Sequence, residues 1–205
     1  MTYNTTPVEV YDHDWVSLSE GTAIPHGIYD VVQNKGFIRI GTSRDTSEFA
    51  CDCLYFWWRE HGAKAYPNAT SILLLCDGGG SNGARHHIFK QDLQLLANDI
   101  GVEIRIAHYP PYTSKYNPIE HRLFPHVSRV CQGAIFNSVA MVRDLMAKTS
   151  TKTGLQTVVS VLDAVYETGR KATDAFISQM PIVVEDVQHS STEVDSHQKQ
   201  SASVK

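Results

Sequence analysis

Two carboxylates stand where the chain could hold a divalent cation. Asp77 closes the apolar run SILLLCD and opens into Gly78, Gly79 and Gly80. In open α/β sheets, sites form outside the carboxyl ends of strands. Three glycines remove side-chain bulk, so a metal, a phosphate or a DNA backbone can approach closely. Asn82 and Arg85 add a donor and a charge to the same loop. Glu120 is the second carboxylate. It falls in the first turn of a helix beginning at about Pro118, after a segment dense in polar side chains: Thr113, Ser114, Lys115, Tyr116 and Asn117. His121 and Arg122 follow it. Hard cations such as Mg²⁺ and Mn²⁺ take carboxylate oxygens and keep several waters. Phosphoryl transfer on DNA uses two such ions about 4 Å apart, one activating the attacking oxygen and one stabilising the leaving oxygen. Filling both shells takes about three acidic side chains drawn from separate elements.

Plain structural accounts compete with this chemistry. A strand-end Asp can cap the following turn. A Glu in a first helical turn is favoured by the helix dipole. The run GGGSNG lacks the Lys and spacing of a P-loop, and no G-x-G-x-x-G opens a helix in a dinucleotide-type unit. Lys115 and Arg122 suit DNA phosphates, with ordinary solvated charge as the alternative. His121 beside Glu120 could orient a nucleophile or a phosphate. His86, His87, His108, His121 and His126 do not match H-E-x-x-H and no C-x-x-C accompanies them, which argues against zinc. Ser114 has no recognisable His-Asp partnership, so a serine hydrolase is rejected.

An ordered alternation of elements must position these groups. GIYDVVQNKGFIRIGTS reads as two strands around an Asn34-Lys35-Gly36 turn, with Gly36 able to take positive φ. Thr46 can N-cap SEFACDCLYFWWREHG, whose Phe49, Cys53, Phe56 and Trp57 fall at helical spacing and which Gly62 ends. Of the adjacent Trp57 and Trp58, one should face the core and one the surface. SILLLCD, continuously apolar, suits a buried central strand. IFKQDLQLLANDIG places Phe89, Leu93, Leu96 and Ile100 on one helical face, and VEIRIAHYP alternates like a strand. IEHRLFPHVSRVC starts as a helix that Pro125 must bend or interrupt. On it, Glu120 and Leu123 share one face, so one side packs while the carboxylate reaches a cleft. SVAMVRDLMAKTS and TDAFISQM add further helices. The order predicts an α/β layer architecture around a central sheet.

Residues 1–20 read as an extended lead-in, 21–180 as the domain, and 181–205, polar and Ser/Gln-rich, as a disordered tail. Net charge is −4 with a pI of about 6.2, which counts against a free-standing nucleic-acid-binding domain. Yet Arg105, Lys115, Arg122 and Arg129 cluster locally, and bound divalent metal would add positive charge. The four cysteines form no C-x-x-C pair and read as reduced, partly buried thiols. No apolar run approaches the ~18 residues of a membrane helix and no signal peptide opens the chain, so the expectation is a cytoplasmic protein without a membrane partner.

Several motifs resemble one family. CDGGGSNG, then HYPPYTSKYNPIEHRLFPHVS, then TKTGL look like the signatures of ISAzo-type (Rhodopirellula-type) insertion-sequence transposases. GTAIPHGIYDVVQNKGFIRIGTSRDTSEFA and WWREHGAKAYPNA look like the same family's preceding segments, so the resemblance runs from about Val8 to Ser178. It implies a ribonuclease-H-like mixed sheet flanked by helices, a DDE active site, Mg²⁺ or Mn²⁺, and DNA (transposon ends and target) as partner. A homo-oligomer or a full-length transposase is a further expected partner. Asp77 matches the family's second acidic residue and Glu120 its third, both as metal ligands. Asn82, Arg85, Lys115, Asn117 and Arg122 are the expected DNA contacts.

The departure from the family concerns the first Asp. In the family it lies on the first strand, in a segment of the type V-D-T-K-K-K-E, and nothing here matches it. The expectation is therefore a truncated domain with its first strand missing, and an incomplete, inactive copy. Asp12, Asp14 and Asp30 are the substitutes to consider. A carboxylate on a neighbouring strand is displaced by ~4.8 Å, as much as the two metals are apart, which argues against a replacement. The competing expectation is a non-catalytic remnant that binds DNA or full-length transposase.

Overall fold

The computed structural model of the chain describes residues 21–76, 87–110, 113–180 and 182. The lead-in, most of the tail and the glycine-rich loop with Asp77, Asn82 and Arg85 lie outside the described residues.

Strands β1 (Ile24–Asp30) and β2 (Lys35–Gly41) form an antiparallel hairpin. Asp30 holds its turn, accepting from Val32 N at 3.0 Å and Gln33 N at 2.9 Å. The positive φ belongs to Asn34 (52°) and not to Gly36. Asn tolerates that conformation, and here its Oδ1 accepts from the Tyr29 hydroxyl at 2.8 Å. Gly36 lies inside β2, where an added Cβ would stand 2.4 Å from Leu123 Cδ1. Its glycine serves close packing.

Thr46 caps α1 (Ser47–Trp57), accepting from Phe49 N at 3.2 Å. Gly62 does not end the helix. The chain continues through a π-helical stretch, Trp58–Gly62, into a short α2 (Ala63–Ala65). Gly62 instead makes room for the Trp58 ring. Trp57 and Trp58 are both buried, so the expected split between core and surface does not occur. The widened stretch breaks the ordinary 3.6-residue periodicity, and both rings join Phe37 and Val102 in one cluster.

Next come β3 (Ser71–Cys76), α3 (His87–Ile100) and β4 (Glu103–His108). Phe89, Leu93 and Leu96 of α3 pack with Cys51 of α1, as their spacing predicts. The chain then runs through α4 (Pro118–Arg122), α5 (Phe124–Cys131) and α6 (Val139–Met146). Pro125 does interrupt the helix: Leu123 sits between α4 and α5 with φ −121° and ψ −65°. Strand β5 (Gln156–Leu162) and α7 (Asp174–Ser178) complete the order. The reading of the sequence missed β5, although QTVVSVL carries the β-branched residues that mark strands.

The strands form two sheets among the described residues. One has the order β1-β2-β5, with β5 parallel to β2; the other is the parallel pair β3-β4. β3 is thus an edge strand here. Its Leu73 is 62 % exposed and its Leu75 40 %, against the expectation of a buried central strand. Its apolar run has a partner on one side only.

Helices cover the three-stranded sheet on both faces. Ile38, Ile40 and Leu123 meet Val127, Val142 and Met146 on one side, and Phe37 meets the tryptophans on the other. A buried polar knot ties α1, α3 and the segment before α7. Asp92 accepts from Ser47 Oγ at 2.6 Å and from Arg170 at 3.0 and 3.2 Å, and Arg170 also reaches Glu48 at 2.9 Å. No helix among the described residues is long and apolar enough to cross a membrane.

Leu123 is fully buried and joins α4 and α5 to the sheet. Leu123→Ala should lower unfolding free energy by about 2–5 kcal/mol, read as a lower urea midpoint at unchanged slope. An unchanged midpoint would show that this side chain does not carry the packing.

Candidate active site

Glu120 owes its place to a short, strongly defined helix start. Asn117 is buried and caps α4, its side-chain oxygen accepting from Ile119 N at 3.4 Å. Pro118 follows with φ already fixed for a first turn. The backbone N–H of Glu120 donates to the Asn117 carbonyl at 3.1 Å, and Leu123 N donates to Ile119 O at 3.1 Å. Ile119 and Phe124 then lie against the face of β1 at Gly27, where a Cβ would meet Phe124 at 2.8 Å and Ile119 at 3.4 Å. Two apolar anchors and one cap fix α4, and Glu120 remains exposed.

Glu120 borders a cavity of about 570 Å³ between β1 and β3. Cys76, the last residue of β3, borders the same cavity. Asp77 is the next residue in the chain, although its own position lies outside the described residues. Asp30 also borders the cavity, but its carboxylate is engaged. Besides the two turn amides, it accepts the Tyr66 hydroxyl at 2.8 and 2.7 Å. Burial and that bond push the Tyr66 hydroxyl well above its ordinary pKa. Asp30 therefore works as a structural hub joining the β1–β2 turn to the entry of β3. Only tertiary structure reveals that, because Tyr66 is distant in sequence.

The remaining predicted residues differ in setting. Lys115 is exposed, with Nζ 5.1 Å from the centre of the Tyr116 ring. His121, Arg122 and Arg129 are exposed. Arg105 pairs with Glu103 at 2.9 Å, so its charge is already compensated. Asn117, expected at DNA, is buried and used by the cap.

No three His, Cys, Asp or Glu side chains among the described residues form a group able to hold a metal ion. With Asp30 engaged, Glu120 is the uncommitted carboxylate among the described residues lining the cavity. One carboxylate does not complete a shell for Mg²⁺ or Mn²⁺. The four cysteines are free. Burial pushes the Cys53 thiol up to about 12 and Cys51 higher, which leaves both protonated and inert.

The cap and the carboxylate should separate by stability. Asn117→Ala should cost about 1 kcal/mol, whereas Glu120→Gln should stay within about 0.5 kcal/mol. Urea denaturation of both variants checks this, and a large loss from Glu120→Gln would assign Glu120 a structural role.

A comparison with sequence families matches residues 1–194 to one described as the Rhodopirellula transposase DDE domain. No curated protein and no solved structure matches the chain. The matched span extends on both sides of the segment in which the motifs were found, and it contains both acidic positions. The chain belongs to the Rhodopirellula transposase DDE domain family.

Proposed function

We propose that these residues form the catalytic domain of an insertion-sequence DNA transposase, with Asp77 and Glu120 as two of its three acidic metal ligands. The reaction is metal-dependent phosphoryl transfer: cleavage of a DNA strand and its joining to target. The fold reading that goes with this is ribonuclease-H-like. The observation that carries the proposal is the shared cavity. The end of β3, which leads into Asp77, and the exposed Glu120 on α4 border one space.

The roles follow from chemistry. Mg²⁺ or Mn²⁺, when bound, supplies positive charge against the developing oxyanions. Asp77 and Glu120 offer it carboxylate oxygens from a strand end and a helix start. Lys115 and Arg122, with Asn82 and Arg85 from the glycine-rich loop, hold DNA phosphates, a contact without base readout. His121, beside Glu120, orients a phosphate. Asn117 acts through the cap that aims α4. The chain's net charge of −4 disfavours DNA, so local cations and bound metal must overcome it.

Two carboxylates hold a cation less well than three, so the chain alone should bind Mg²⁺ weakly, in the millimolar range, and show little activity. The deciding experiment is a strand-transfer assay with labelled transposon ends and Mn²⁺. Activity lost to background in Asp77→Ala and in Glu120→Ala supports catalysis by these residues. Activity indifferent to both variants overturns the assignment. DNA binding without any strand transfer, even at high Mn²⁺, supports a non-catalytic remnant instead.

A further inference from the structure

Strand β5 closes the three-stranded sheet at the end away from β1. One of its edges ladders in parallel with β2. On the other edge Ser150 bridges Gln156, and no further strand pairs there among the described residues. From 157 to 162 the described residues make no backbone–backbone hydrogen bond outside the β2 ladder. Those residues are half-buried. Half-buried backbone N–H and C=O groups without partners invite another strand.

The composition of β5 does nothing to prevent that. Sheet edges are ordinarily guarded by charges, prolines or bulges. β4, the outer strand of the second sheet, carries Glu103, Arg105 and His108. QTVVSVL carries no charge, no proline and no glycine, and Thr157, Val158, Val159 and Val161 are β-branched. Both faces of β5 are already covered. Val159 packs with the Ile38 and Val142 cluster, and Val158 with Phe37 and the tryptophans. The edge alone is left for a partner, so strand addition fits and face-to-face docking does not.

Symmetry argues for the occupant. A closed pair of identical molecules uses one patch twice, and a strand laid antiparallel on its own copy meets that condition. Hydrogen-bonded and non-hydrogen-bonded pairs alternate along such a ladder. The two-fold must therefore pass through a residue paired with itself, not between two residues. Ser150 blocks the edge at Gln156. A two-fold at Ser160 keeps the partner clear of Ser150, and sets Val159 against Val161 and Val158 against Leu162. Cross-strand pairs of that kind stabilise a sheet, and no charged side chain of β5 meets its copy. Helix α6 lies over β5, and its Arg143 and Asp144 pair with each other at 2.7 Å, so it brings no net charge. β4 of a second copy is a poorer match, since it would bring Glu103 and Arg105 against valines.

We infer that β5 pairs antiparallel with the β5 of a second copy of this chain, about a two-fold at Ser160. The result is one continuous sheet of order β1-β2-β5-β5-β2-β1. Nothing in this inference depends on the transposase reading, so strand-transfer activity and self-association can fail separately.

The test uses the full chain. Sedimentation velocity over about a hundredfold range of concentration reads mass, and amide hydrogen exchange reads the edge. The expected result is a mass that doubles with concentration and then stops rising. Exchange at 157–162 should slow about tenfold or more in the dimer and stay unchanged in β4. Val161→Lys places a charge on each side of the two-fold and should raise the dissociation constant about tenfold or more. Asn68→Lys adds the same charge in the exposed loop before β3 and should leave that constant unchanged. Should Val161→Lys lower the unfolding midpoint at dilution, the concentration dependence of exchange in the unaltered chain decides alone. A single-chain mass throughout overturns the inference, as does a dimer whose exchange at 157–162 is unaltered. So does a well-folded Val161→Lys chain that dimerises at full strength. Slow exchange at 157–162 that is equal at every concentration overturns it too, because the chain's own residues then cover the edge.

Discussion

A strand edge carries backbone donors and acceptors that water or another strand must satisfy, and among the described residues β1 and β3 each keep one such edge unpaired beside the cavity that Glu120 borders. The rest of the structure is arranged around them. β2 is saturated on both sides and anchors one sheet; β3 and β4 form a second. α1 and its π-helical continuation lie under both sheets through Trp57 and Trp58, while α4 and α5 cap the opposite face of the first. The Asp30–Tyr66 bonds tie the two sheets at one end.

That arrangement gives the site its character. Glu120 is not placed by contacts of its own. It is placed because Asn117 caps α4, Pro118 sets its first turn, and Leu123 and Phe124 nail its end to the sheet. An exposed carboxylate on a rigid mount suits a ligand for hard cations, since its oxygens stay hydrated and available until an ion displaces the water. The other carboxylate at the cavity, Asp30, is spent on holding a turn. Burial among donors makes it a structural group, whatever its nearness to the sheet suggests.

Much of the element order was legible. The Thr46 cap, the amphipathic stripe of α3, the alternation of β4 and the break at Pro125 all follow from local rules, because each depends on residues a few positions apart. Several misreadings share one cause. Gly36 looked like a turn glycine, yet its smallness answers Leu123, far along the chain. Trp57 and Trp58 should have diverged on a regular helix, and a π-helical stretch let both be buried. The exposure of Leu73 depends on what lies beside β3. β5 is the exception: its β-branched run was visible and went unread.

The sequence by itself determined the family, through long motifs in a fixed order, and pointed to the two acidic positions proposed as metal ligands. It also determined where helices and most strands start, since caps, prolines and periodicity act over short distances. Only the tertiary structure decided that Asp30 is engaged, that Asn117 is buried in a cap, and that the described strands form two sheets, β1-β2-β5 and β3-β4. Those facts depend on contacts between residues remote in the chain, and on backbone edges whose partners no local pattern specifies.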